Sequence, residues 1–359
     1  MIDTACPGCR ARSWLLGRLA GHLDTERGRL LELLELADEE LIAAVGGRRT
    51  PELLRELAER RRRPSAVAEN LGSICRCHPR YPVGLRDLSA PPAVLHVAPG
   101  LERLLAAADR DPVAIVGSRR PSAYGIEMAR ALGRELASAG IPVLGGMALG
   151  VDSAGHSGAL DGGGMTIAVL PSPADRPYPR QHRRLYGRIR EAGAAVSELA
   201  PGAELTMRRW MFPARNRLIA ALAAMTVVIE AADGSGALIT AELARDLHRP
   251  VGAVPGRVTS RQAAGPNRLL SQGASVVRGA QDVLDALFGA GQRTAVAPQR
   301  ARLAPDHARL LSALADGGGV AGALAQTGLA AQDAMAALAA LELEGYVRRG
   351  PGGQFEVVP

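Results

Sequence analysis

No lysine occurs in the chain: all 43 basic residues among its 359 are arginine. That absence excludes any mechanism needing a catalytic lysine, including the phosphate loop whose lysine reaches a nucleotide's terminal phosphates. Aromatic residues are scarce as well, with three Phe, five Tyr and two Trp, so base stacking can contribute to ligand binding at only a few points. No run of eighteen apolar residues is present, which leaves no candidate membrane span. The first residues, Met1-Ile2-Asp3-Thr4-Ala5-Cys6, lack the basic head and apolar core of a secretory signal. A cytoplasmic protein with reduced thiols is the expectation.

What is present is a folded chain's balance, 47% hydrophobic and 22% charged, long enough for two or three domains. Net charge is +7, and its distribution is uneven. Between Arg176 and Arg217 stand ten arginines against three acids, Glu191, Glu198 and Glu204. That surplus of seven equals the charge of the whole chain, so the remainder is neutral. A basic excess confined to one stretch is the footprint of a polyanion site.

Residues 1–70 predict a small helical domain of the SAM or helix-hairpin-helix kind. Leu30-Leu31-x-Leu33-Leu34-x-Leu36 and Leu53-Leu54-x-x-Leu57 have helical spacing, and Pro51 suits a first turn. The run Arg60 to Arg63 with Pro64 closes that element as a solvated helix end. A connecting segment, 71–110, leads to a core over 111–287. There, apolar strands at Val113–Val116, Val143–Leu144, Thr166–Leu170, Ala194–Val196, Thr226–Glu230 and Val251–Val254 alternate with helical stretches. This predicts an α/β fold: a Rossmann-like, doubly wound, mainly parallel sheet. Residues 288–304 read as a linker. Over 305–359 the pattern is helix, turn, helix and hairpin, a winged-helix outline. Its longest helix, Leu329–Glu344, carries Asp333, Glu342 and Glu344 without arginine, a poor surface for phosphates.

Small residues recur at the strand ends. Gly117-Ser118-Arg119-Arg120 follows the first core strand, where backbone amides at a helix start can meet an anion and an arginine fork can hold phosphate. Gly145-Gly146-Met147-Ala148-Leu149-Gly150-Val151-Asp152 follows the second, with Asp152 placed to cap the next helix and His156 read as structural. Tyr178 and Arg180, in a proline-stiffened loop, offer an aromatic face and a cation. Arg215-Asn216-Arg217 opens a further helix, and Ser235-Gly236 another small-residue turn. The dinucleotide fingerprint G-x-G-x-x-G is absent, which disfavours a nicotinamide-dependent oxidoreductase.

Taken together and in order, GSR, the glycine turn with Asp152 and His156, Tyr178-Pro179, FPARNR, EAADGSGALITA, VPG and GPNRLL resemble the DNA-processing protein A (DprA/Smf) family. Departures are local: Pro171-Ser172-Pro173 stands for a glycine-rich turn and Ala237 for a serine. The resemblance implies a non-enzymatic homodimer that binds single-stranded DNA, protects it, and loads the RecA recombinase in natural transformation. The expected DNA-binding residues are Gly117, Ser118, Arg119, Arg120, Gly146, Gly150, Tyr178, Arg180, Arg215, Asn216, Arg217, Ser235 and Gly236. The alternative is a Rossmann-like nucleotide-processing enzyme of the phosphoribohydrolase type, whose PGGxGTxxE motif is missing here. No organic cofactor is expected. Cys6-x-x-Cys9 and Cys75-x-Cys77 leave two readings open, a structural zinc or four free thiols.

Overall fold

Alternation along the first core strand decides how the layers assemble. In the computed structural model, which describes residues 5–63, 71–201, 206–295, 303–315, 319–343, 346–350 and 354–357, strand β3 (Val113–Gly117) sends Val113 and Ile115 to one apolar cluster and Ala114 and Val116 to another. Successive side chains of a strand face opposite ways, so a strand buried on both faces must lie inside a three-layer sandwich. One layer comprises the helices Leu101–Ala108, Met211–Leu222 and Gly236–Asp246; the other comprises Ala123–Ser138, Val151–Asp161 and Ala280–Phe288.

Nine strands make the sheet: β1 (Gly72–Cys75), β2 (Val94–Ala98), β3, β4 (Val143–Gly145), β5 (Thr166–Val169), β6 (Ala194–Ser197), β7 (Met225–Ile229), β8 (Val251–Ala253) and β9 (Ser275–Val276). Their order is β1-β2-β6-β5-β4-β3-β7-β8-β9. From β6 to β9 the pairings are parallel, while β1–β2 and β2–β6 are antiparallel. The doubly wound, mainly parallel sheet expected from the sequence is present. Segment 71–110, expected only to connect, contributes two strands at the edge beyond β6.

Five α-helices, Pro7–Arg18, Ala20–Thr25, Leu30–Glu35, Asp38–Val45 and Thr50–Arg62, precede the sheet. Acidic residues fill the first turn of the fourth and arginines the last turn of the fifth, each matching the helix dipole. Pro51 sits in the first turn of the fifth, as its fixed φ favours; Pro64 lies outside the described residues. These helices share a core with Leu199, Trp210, Met211 and Ala214. Trp210, fully buried, donates from Nε1 to the Ala20 carbonyl (2.9 Å) and from its backbone amide to Asp24 (3.2 Å). Residues up to Ala295 accordingly form one compact unit, and the helical segment directly braces the start of helix Met211–Leu222.

The second unit begins at Val296; residues 296–302 of the expected linker lie outside the described residues. Helices Pro305–Ala315, Gly319–Thr327 and Ala331–Leu343 precede the antiparallel pair β10 (Val347–Arg349) and β11 (Phe355–Val357). Arg349 in the wing is paired with Glu342 (3.2 Å). Glu344 and the turn residues Pro351, Gly352 and Gly353 lie outside the described residues. No helix is long and apolar enough to cross a membrane among those described.

Two buried histidines give the compact unit an acid-sensitive element. His96 of β2 sits 2.9 Å from Ser13 Oγ, and His156 lies 2.6 Å from Thr166 Oγ1. Burial, helped by the nearby Arg10 charge, pulls His96 from 6.5 down to about 4. Burial, helped by Arg215, pulls His156 down to about 3. Below pH 6.5 the unfolded chain therefore binds protons that the folded chain refuses, and stability falls as pH falls. Each histidine should cost about 1.4 kcal/mol per pH unit until its folded value is reached. Urea midpoints between pH 7.5 and 4.5 check this. The His96→Gln/His156→Gln variant should show a flatter acid limb, and an unchanged limb would remove the histidines as its cause.

Candidate nucleic-acid interface

At the carboxyl ends of β3 and β7 the strand order reverses, and the chain leaves a cleft of about 590 Å³ there. Open α/β sheets take ligands at such switch points because the diverging loops cannot fill the crevice. Lining residues come from 116–120 at and after the end of β3, Ala148 and Asp152 after β4, Phe212, Pro213, Arg215 and Asn216 on one helix, and 232–237 with Ile239 and Thr240 after β7. Gly117, Ser118, Arg119, Arg120, Arg215, Asn216, Ser235 and Gly236, all expected from the sequence, are among them.

The remaining expected residues border this cleft in different ways. The carbonyl of Gly146 accepts from Arg215, and an added Cβ at Gly146 would lie 2.0 Å from that guanidinium. Gly150 adopts φ +83° with Ser118 O 2.4 Å from where a Cβ would stand, so both its backbone and its crowding require glycine. Tyr178 meets Phe212 edge-on at 5.6 Å, and the Arg119 guanidinium lies over the same Phe212 ring at 5.2 Å. This row, Arg119–Phe212–Tyr178, joins the β3 turn to the loop after β5. Arg180 is exposed at the start of a 3-10 turn. His182 of that turn lies 2.9 Å from the Met147 carbonyl, which pins the turn to the loop after β4.

Three expectations need correction. Arg217 does not face the cleft: it is 3% exposed, paired with Glu198 and donating to the Ala90 carbonyl at 2.6 Å. Residues two apart on a helix point about 200° apart, so Arg215 and Arg217 cannot share a face. Arg215 itself is a buried part of the lining, donating to the carbonyls of Gly146 (2.7 Å) and Val169 (2.6 Å) at the tips of β4 and β5. Asp152 does not cap its own helix, whose N-cap is Gly150; its carboxylate accepts from the amides of Gly146 (2.9 Å) and Ala148 (3.4 Å), holding the loop in front. Finally, the start of helix Ala123–Ser138 is closed to an external anion. The Glu230 carboxylate accepts there from the Ser122 amide (2.7 Å) and hydroxyl (2.5 Å).

Electrostatics follow from this arrangement. Burial raises the Asp152 carboxyl above its ordinary range, opposed by the Arg215 charge and the two amides. Burial also pushes Arg215 down to about 10, opposed by Asp152, so it stays protonated at neutral pH. Above this fixed cation, Arg119 and Arg120 are exposed at the rim. Arg176, Arg180, Arg183, Arg184, Arg208 and Arg209 are exposed too, and none forms an ion pair among the described residues. Arg188 is paired with Asp161 (2.9 Å), which it shares with Arg130 (2.6 Å), and Glu204 lies outside the described residues. The basic stretch is thus divided between exposed cations and structural braces. Phe212 and Glu230 were missed as site residues: FPARNR and EAADGSG contain them, but spacing alone does not show a ring joining two loops or a carboxylate filling a helix start.

The chain is similar to known proteins over both units. Residues 72–288 match the family described as DNA recombination-mediator protein A, and residues 294–353 match the DprA winged helix domain. It is 35% identical over 208 residues to the DNA processing protein DprA of Bacillus subtilis, covering 58% of this chain and 68% of that one. A DprA-named protein of Mycobacterium tuberculosis is 44% identical over 172 residues, 48% of this chain; the match spans less than half of that protein, 44% of its length. Among solved structures, DNA processing protein A from Streptococcus pneumoniae superposes with a TM-score of 0.59 at 30% identity, over 70% of this chain and 87% of that one. DNA processing protein A from Helicobacter pylori, reported in a study of its single-stranded DNA binding mode, superposes with a TM-score of 0.53 at 29% identity, over 60% of this chain and 95% of that one.

Proposed function

The chain belongs to the DNA recombination-mediator protein A family, and from that premise we propose that it binds single-stranded DNA at the arginine-rimmed cleft between β3 and β7. The observation that carries the reading is the convergence of Arg119, Arg120 and Arg215 on one cleft at the switch point, with Phe212 and Tyr178 continuing its edge. Exposed guanidiniums track a phosphate backbone, and the Phe212–Tyr178 pair supplies a small stacking surface. With so few aromatics, affinity is dominated by charge and base preference is weak.

A non-catalytic role fits the carboxylates available. Asp152 is held by two amides, Glu230 by Ser122, and Asp233 by Arg268 (2.7 Å). Family membership further supports a homodimer that loads the RecA recombinase onto DNA during natural transformation, in the cytoplasm.

A gel-shift comparison of single- and double-stranded oligonucleotides at two salt concentrations tests the reading. Single strands should be preferred, with log affinity falling by about 0.7 per phosphate contact for each tenfold rise in salt. Equal binding of duplex, or affinity indifferent to salt, would overturn it.

A further inference from the structure

Four thiols from distant parts of the chain converge beside strand β1, well apart from the residues of the cleft. Cys6 is the N-cap of helix Pro7–Arg18 and Cys9 lies in its first turn; Cys75 ends β1, and Cys77 follows in the next turn. Their Sγ atoms all lie within 4.8 Å of one another. Cys9 and Cys77 are separated by 3.7 Å, and none of the four is in a disulfide. A disulfide needs its sulfurs at about 2.05 Å. Four thiolates at about 2.3 Å around a tetrahedral zinc ion stand about 3.8 Å apart along each edge.

The surroundings hold the donors in place. Cys9 and Cys75 are buried with Ala93 and Val94. The Cys6 amide points at Cys75 Sγ (3.5 Å), the kind of outer-sphere N–H contact that steadies a metal-bound sulfur. Arg86 donates to the carbonyls of Arg76 (3.2 Å) and His78 (2.8 Å), and the His78 amide to that of Cys75 (2.9 Å), fixing the turn. His78 Nδ1 is occupied by the Arg80 amide (3.1 Å).

We propose that Cys6, Cys9, Cys75 and Cys77 bind one zinc ion in a closed, four-thiolate structural site. Binding displaces the thiol protons to solvent and leaves no open coordination position, so the ion holds structure and does no chemistry. Its mechanical effect follows from the topology. The ion cross-links the first helix to the edge strand of the sheet across the intervening helical segment, closing a long loop that the unfolded chain would otherwise leave free.

Full-length protein purified in reducing buffer without added zinc provides the test. Elemental analysis should find one zinc per chain, and titration of the intact protein with an organomercurial should release it as four thiols are consumed. Cobalt exchanged into the site should show the intense near-ultraviolet and visible bands of a tetrahedral tetrathiolate. Chelation should lower Tm by roughly 5 °C or more. Zinc at far below one per chain even after supplementation would overturn the proposal, as would iron in its place or four thiols that react freely while zinc stays bound. The Cys9→Ser and Cys77→Ser variants should each lose the metal. The metal count and the thiol titration use the unaltered chain, so they decide the matter even where a variant fails to fold.

Discussion

Arg119→Ala combined with Arg180→Ala should weaken single-stranded DNA binding about a hundredfold and lower the steepness of its salt dependence by about 1.4, two contacts at about 0.7 each. Both side chains are exposed and free of ion pairs among the described residues, so their loss removes ligand contacts without opening a cavity. Fluorescence anisotropy with a labelled oligonucleotide at several salt concentrations gives both quantities. The loss should be similar for different sequences, because phosphate contacts do not read bases. Affinity and slope equal to those of the unaltered protein would place the DNA elsewhere.

Arg217→Ala should act on stability, with a cost of about 3–5 kcal/mol. Arg217 and Glu198 expose only 3% and 6% of their side chains, so truncating the arginine leaves a carboxylate buried without its counter-charge. The Arg217→Met/Glu198→Gln double variant should recover much of that loss, because removing both charges of a buried pair is far cheaper than removing one. Urea unfolding of the three proteins measures the difference. Arg217→Ala protein that remains folded should bind single-stranded DNA normally. A stable variant that fails to bind would return Arg217 to the interface.

These two arginine sets show where the sequence is informative and where it is not. The continuous apolar run Val113–Val116, the alternation of such runs with helical stretches, and the glycines after β3 and β4 specify a parallel sheet with open strand ends, because period and turn chemistry are local properties. The cluster of ten arginines is equally visible. Nothing in Arg-Asn-Arg says that both guanidiniums will be buried, or on which side, since that depends on the carbonyls at the tips of β4 and β5 and on Glu198 after β6. Strands β1 and β2 were also hidden: their short runs sit among prolines, β2 pairs with β6 across about a hundred residues, and β1 joins the sheet only through β2.

By itself, then, the sequence determined the alternating strands and helices, the winged-helix outline, the glycine-opened strand ends and the confinement of positive charge to one stretch. Tertiary structure decided which arginines stay exposed and which are buried as braces, that Glu230 occupies the first turn of helix Ala123–Ser138, and that four cysteines meet. The physical reason is one of range. Backbone propensity and side-chain period act between neighbours, whereas burial, charge pairing and thiol convergence exist only after residues from distant strands are brought together.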